Sequence, residues 1–157
     1  MKTSGTRHIG ILLFDDAEEL DAVGPWEVLS SWTRYFPDDG FAVSCISQAG
    51  GRVRCAKGLV LQAHHSYADA PPLEVMVYPG GQGTRPQLRD EAQLDWVRRQ
   101  RQDVPLMTSV CTGSLVYAAA GVSAGIDMAL HLVMRLAGVE RARQVRRAIQ
   151  YDPAPPV

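Results

Sequence analysis

Residues Pro105 to Ser114 read Pro-Leu-Met-Thr-Ser-Val-Cys-Thr-Gly-Ser, an apolar run that ends in a cysteine and passes at once into small residues. Leu115 to Ala120 then continue with helical character. This is the pattern of a strand turning sharply into a helix, with one thiol, Cys111, at the corner. A thiol there sits beside helix-terminal N–H groups and the positive end of a helix dipole, both of which stabilise negative charge on sulfur. Other α/β enzymes present their nucleophile on the same strand–turn–helix geometry. Cys111 is therefore the expected chemical centre, set against the alternative that a free cysteine is a small buried hydrophobe.

The residues that could serve this thiol are few. Thr112 follows it, which excludes an adjacent Cys-His dyad; its hydroxyl and N–H can face a developing charge or cap the helix. Glu18, Glu19 and Asp21 compete as the acid. Glu18 and Glu19 read as solvated loop residues. Asp21 lies between Leu20 and Ala22-Val23, where the chain turns apolar. A carboxyl partly desolvated there would hold its proton more tightly and could relay it; a plain helix cap is the competing reading. Pro79-Gly80-Gly81-Gln82-Gly83 lacks the spacing and the lysine of a phosphate loop. Gly80 and Gly81 can supply backbone donors to an oxyanion or form a bland tight turn. His64, His65 and His131 have no spaced metal partner and read as structural, so no metal is expected. Arg141, Arg143, Arg146 and Arg147 read as a solvated helix face.

The elements that must position these residues follow from apolar periodicity. His8 to Phe14 is a short continuous apolar run, as expected for a strand buried on both faces. Leu20 to Trp32 has helical spacing, with the helix proper expected near Pro25, since proline suits a first turn. Phe41 to Ile46 alternates as a strand, and Val53 with Leu59 to Leu61 forms a small hairpin. Leu73 to Tyr78 is a further strand. Gln87 to Gln100 is expected as one polar helix with Leu88, Leu94 and Val97 inward and Trp96 flanking. Ile126 to Leu136 and Val139 to Ile149 are two helices, and Pro153 to Val157 has no regular pattern. The order implies an α/β fold, a mostly parallel sheet with helices on both faces. Ligands in such sheets bind outside the carboxyl ends of the strands. The loops 15–21, 79–83 and 111–112 all fall at that edge.

Bulk properties narrow the function classes. A chain of 157 residues is expected to form one domain with a real core. Its 46% hydrophobic and 21% charged composition is that of an ordinary globular protein. A net charge of −1 provides no field for nucleic acid or a membrane surface. No signal peptide or membrane-spanning run is expected. Three cysteines without CxxC spacing favour free thiols in a reducing cytoplasm over zinc or disulfides.

With these residues in hand, the chain resembles the isonitrile (isocyanide) hydratase branch of the ThiJ/PfpI superfamily. The resemblance runs through Ile9 to Phe14, Glu19-Leu20-Asp21-Ala22-Val23-Gly24-Pro25, Pro79 to Gly83 and Thr108 to Ser114. It resumes at Ser123-Ala124-Gly125-Ile126-Asp127 and ends with Gln150 to Pro156. It implies a flavodoxin-like (glutamine-amidotransferase-like) fold, a homodimer, and hydration of R–N≡C to an N-substituted formamide with no cofactor. By that likeness Cys111 attacks the isocyanide carbon, Asp21 moves protons and activates water, and Thr112 holds the intermediate. The same domain also occurs as the ligand-sensing half of AraC-type regulators, a reading that requires a DNA-binding half not present before Val157. A thiol redox or deglycase-like stress protein is a third reading.

One departure stands out. Relatives in this branch place a further strand-bearing segment between the nucleophile helix and the Ser-Ala-Gly-Ile-Asp helix, whereas here Ala120-Gly121 joins Val122-Ser123 directly. The missing block is about 30 residues or more, the size of one crossover unit. Two helices then meet with no strand between them. The expectation is a single domain shortened at the 121–122 junction, with the Cys111 strand left on a truncated sheet edge.

Overall fold

A computed structural model of the chain describes residues 5–117 and 125–149. The 121–122 junction and the tail beyond Ile149 lie outside the described residues. Five parallel strands form the main sheet in the order β5 (His65–Ser66), β2 (Phe41–Ser47), β1 (Arg7–Leu12), β6 (Leu73–Tyr78) and β7 (Leu106–Ser109). A separate antiparallel hairpin joins β3 (Gly51–Arg54) to β4 (Val60–Ala63). The mostly parallel α/β architecture expected from the sequence is therefore the one observed.

The continuous apolar runs in β1 and β6 split by parity, because successive side chains on a strand point to opposite faces. Ile9, Ile11, Val75 and Val77 pack on one face, against α1 (Glu19–Tyr35), α5 (Gly125–Ala137) and α6 (Val139–Ala148). Leu12, Met76 and Tyr78 pack on the other, against Trp96, Val97 and Val104 of α3 (Glu91–Asp103) and its end. Trp32 is fully buried at the centre of the first layer and packs on Phe41. Helices thus cover both faces.

Three local expectations need correction. α1 begins at Glu19, not near Pro25, so the proline lies inside the helix. Proline has no N–H, so the Asp21 carbonyl loses its i+4 donor and the first turn is tied less tightly to the rest. The helix expected over 87–100 is broken: α2 (Thr84–Gln87) ends, and Asp90 starts α3 by accepting a hydrogen bond from the Gln93 N–H at 3.2 Å. A carboxylate N-cap outweighs the helical periodicity running through it. Leu88 is consequently exposed, whereas Trp96 is buried and stacks on Tyr67.

Arg141 is not simply part of a solvated face. Its guanidinium reaches Asp39 at 2.8 Å and lies over the Phe36 ring, tethering α6 to the turn after α1. At the other end of the sheet, among the described residues, β7 pairs only with β6 and is the edge strand.

Candidate active site

The corner after β7 takes the shape its sequence implies. Cys111 has φ +49°, one of two non-glycine residues with positive φ among those described. That left-handed conformation costs an L-residue about 1–2 kcal/mol. A 3-10 turn, Cys111–Gly113, then leads into α4 (Ser114–Tyr117). Gly113 is what lets the corner seat against the end of β6. A Cβ there would lie 2.4 Å from the Tyr78 carbonyl oxygen and 2.7 Å from that of Pro79. The Ser114 hydroxyl donates to the Cys111 carbonyl at 2.9 Å, and the Cys111 residue is exposed.

Gly80 is the meeting point of the other candidates. Its N–H donates to Asp21 Oδ2 at 3.1 Å. A Cβ on Gly80 would lie 2.7 Å from the Thr112 nitrogen, 2.8 Å from Cys111 Cβ and 2.9 Å from Asp21 Oδ2. The thiol-bearing carbon and the nearer carboxylate oxygen are therefore within about 6 Å of each other. Burial pushes the Asp21 carboxyl above the ordinary carboxylate range; the Gly80 N–H opposes this, the charge of Glu18 adds to it and that of Lys57 subtracts.

Thr112 is tied to the same loop. Its hydroxyl oxygen accepts the Gly81 N–H at 2.9 Å and donates back to the Gly81 carbonyl at 3.2 Å. Gly81 itself has φ +116°, and a Cβ there would lie 2.4 Å from the Glu18 nitrogen, so this position needs glycine. The Glu18 N–H bonds the Gly80 carbonyl at 2.9 Å and the Gly83 N–H bonds the Asp16 carbonyl at 3.0 Å. These two bonds lock the 79–83 loop onto the segment that feeds Asp21.

The structure thus brings Cys111, Asp21, Thr112, Gly80 and Gly81 to one place at the carboxyl edge of the sheet. The amides expected as free donors are already engaged, that of Gly80 by Asp21 and that of Gly81 by Thr112. Among the described residues, no group of three or more His, Cys, Asp or Glu is placed to hold a metal ion. His64 accepts the Cys45 N–H and stacks on Trp26. Burial pushes the Cys45 thiol up to about 12.

Two contributors were not legible in the sequence. The fully buried Thr84 donates to the Gly81 carbonyl at 2.8 Å and lies 3.3 Å from the Thr112 hydroxyl oxygen. Its only signal is a hydroxyl directly after the glycine loop. Lys57, at the tip of the β3–β4 hairpin, bonds the carboxylates of both Glu18 and Glu19. Those acids are not freely solvated but clasp the hairpin to the start of α1.

The family model described as DJ-1/PfpI matches residues 7–147. The chain is 34% identical to the isonitrile hydratase of Pseudomonas putida, across 94% of this chain and 80% of that protein. That alignment is 188 positions long for a chain of 157, so the relative carries residues with no counterpart here. A ThiJ/PfpI family protein from Pseudomonas syringae superposes with a TM-score of 0.84 at 22% identity, over 98% of this chain and 78% of that one. An AraC family transcriptional regulator from Pseudomonas putida superposes with a TM-score of 0.71 at 19% identity, over 90% and 98% respectively. The chain belongs to the DJ-1/PfpI family, in the branch of the isonitrile hydratase that it matches.

Proposed function

We propose that this chain hydrates small isonitriles, R–N≡C, to N-substituted formamides, with Cys111 as nucleophile and Asp21 as proton carrier. The observation that carries the reading is the convergence of the Cys111 corner, the Thr112 amide and the Asp21 carboxylate on Gly80, in a relative of an isonitrile hydratase.

The chemistry suits the groups present. Sulfur attacks the terminal isocyanide carbon, a C–S bond forms, and the thiol's proton passes to that carbon, giving a thioimidate R–N=CH–S. Asp21 then accepts a proton from water as oxygen adds to the same carbon, and delivers that proton to nitrogen. The C–S bond breaks, the formamide leaves, and the thiol regains its proton. A carboxyl held above its usual range serves both directions of transfer better than an ordinary one. Thr112 and the Gly80 and Gly81 amides position the two reacting side chains. Donation from either amide to a developing charge requires it to exchange its present acceptor.

A non-catalytic ligand-sensing relic is the second reading. The edge position of β7 and the exposed thiol favour it, since a strand beyond β7 would otherwise wall the site. The shortened single domain is part of this proposal, supported by the surplus length of the relative's alignment. Formamide formation from a simple alkyl isocyanide by the purified chain separates the two readings. Light scattering of the same preparation tests the expected homodimer.

A further inference from the structure

Thr84 is fully buried and lies out of a substrate's reach, yet its hydroxyl sets what Thr112 can do. Among the described residues, three donors converge on one acceptor, the Gly81 carbonyl. They are the Thr84 hydroxyl at 2.8 Å, the Thr84 N–H at 3.2 Å and the Thr112 hydroxyl at 3.2 Å. A carbonyl oxygen has two lone pairs, so one donor is in excess. Thr84 supplies two of the three, including the shortest. The proton left over is that of Thr112.

The other outlet for that proton is no better. The Thr84 hydroxyl oxygen lies 3.3 Å from that of Thr112. Both routes are longer than the roughly 2.5–3.0 Å of an ordinary O–H···O bond. The Thr112 oxygen, by contrast, is fixed, because the Gly81 N–H donates to it at 2.9 Å. Thr112 is therefore anchored through its oxygen with a proton to spare. Thr84 has little freedom of its own. Gly83, just before it, packs so closely that a Cβ would lie 2.0 Å from the Asp15 carbonyl oxygen. The backbone amides of the same loop hold no such reserve, since Asp21 engages the Gly80 N–H and Thr112 the Gly81 N–H.

We propose that Thr84 is a positioning residue for Thr112: by filling the Gly81 carbonyl, it leaves the Thr112 hydroxyl proton available to the negative charge that develops on the Cys111 adduct. The identity of that adduct rests on the hydration reading; the competition for the Gly81 carbonyl does not. Without the Thr84 hydroxyl, the Gly81 carbonyl takes the Thr112 proton. Thr112 then keeps its place and loses its use as a donor. A hydrogen bond that strengthens only as charge develops acts on kcat rather than on KM.

Formamide turnover and urea melts of Thr84→Val, Thr84→Ser, Thr112→Val and the Thr84→Val, Thr112→Val double variant test the proposal. Thr84→Val is expected to lower kcat about tenfold or more, with KM within about threefold of wild type. Thr84→Ser keeps the hydroxyl and recovers most of kcat. In the Thr112→Val background, Thr84→Val lowers kcat by less than about twofold, because the proton it would divert is gone. The melts couple in the opposite sense. Thr84→Val raises the unfolding constant about threefold or more further in the Thr112→Val background than alone, since no second hydroxyl is left for the Gly81 carbonyl. A wild-type kcat in Thr84→Val overturns the proposal, as does a Thr84→Ser no faster than Thr84→Val. Equal kcat losses in the two backgrounds, or additive melts, overturn it as well. A wild type without turnover contradicts the hydration reading instead, and the melts then decide the role of Thr84 alone: coupling upholds it and additivity overturns it.

Discussion

The backbone N–H of Gly80 donates to the carboxylate of Asp21 at 3.1 Å, across 59 residues of sequence. That bond joins the first turn of α1 to the loop after β6, and the Cys111 corner rests against the same glycine. The candidate site is therefore held by backbone at its centre, with the reacting side chains arranged around it.

Gly80→Ala tests this centre. A methyl group there meets three atoms at 2.7, 2.8 and 2.9 Å, two of them on the Cys111–Thr112 corner. Overpacking of this kind costs about 1–3 kcal/mol. Thermal melting should show the loss, and formamide turnover should fall further than stability alone accounts for.

Asp21→Asn separates chemistry from folding. Burial raises the folded carboxyl above its unfolded value, so the native state binds the proton more tightly. Its stabilising contribution is full at acid pH, below the unfolded value, and is lost as pH rises through the folded one. At neutral pH the charged carboxylate therefore works against folding, and asparagine retains an acceptor for Gly80. The variant should melt at or above wild type at pH 7, with the advantage shrinking in acid. Turnover should drop about a hundredfold or more, the usual worth of a positioned acid–base group.

Thr112→Val should destabilise by about 1–3 kcal/mol, because the half-buried Gly81 N–H loses its acceptor. Thr112→Ser keeps the hydroxyl and should restore most of that loss. Paired urea melts of the two variants measure the difference.

The apolar runs of β1 and β6 were readable as strands, and that of β1 as one buried on both faces, since such a strand must be apolar on both. The Cys111 corner was readable for a similar local reason: Val110, Cys111 and Gly113 mark a strand end, a bend and a close approach within four residues. What stayed hidden depends on contacts between distant segments. The clasp of Lys57 on Glu18 and Glu19, the Thr84 hydroxyl under Thr112, and the Arg141–Asp39 pair each join elements far apart in sequence. Local pattern also misplaced the start of α1. Pro25 suits a first turn by its own preference, yet packing of Ala22 and Val28 against the sheet extends the helix past it.

Hydrogen exchange offers a view of the sheet edge. Among the described residues β7 is bonded on one side only, whereas β1 and β6 lie between neighbours. Amides of Leu106 to Ser109 should exchange faster than those of Val75 to Tyr78, by a factor reflecting local opening. Equal protection would mean that another segment or a second copy covers the edge.

The most direct measurement is formamide production from an alkyl isocyanide by the purified wild-type chain and its Cys111→Ala variant, followed by mass spectrometry. Catalytic turnover by wild type, with a thioimidate adduct on Cys111 and a loss of about a thousandfold or more in the alanine variant, is the expected result. Equal turnover by both proteins, or none by a cooperatively folded wild type, would contradict it.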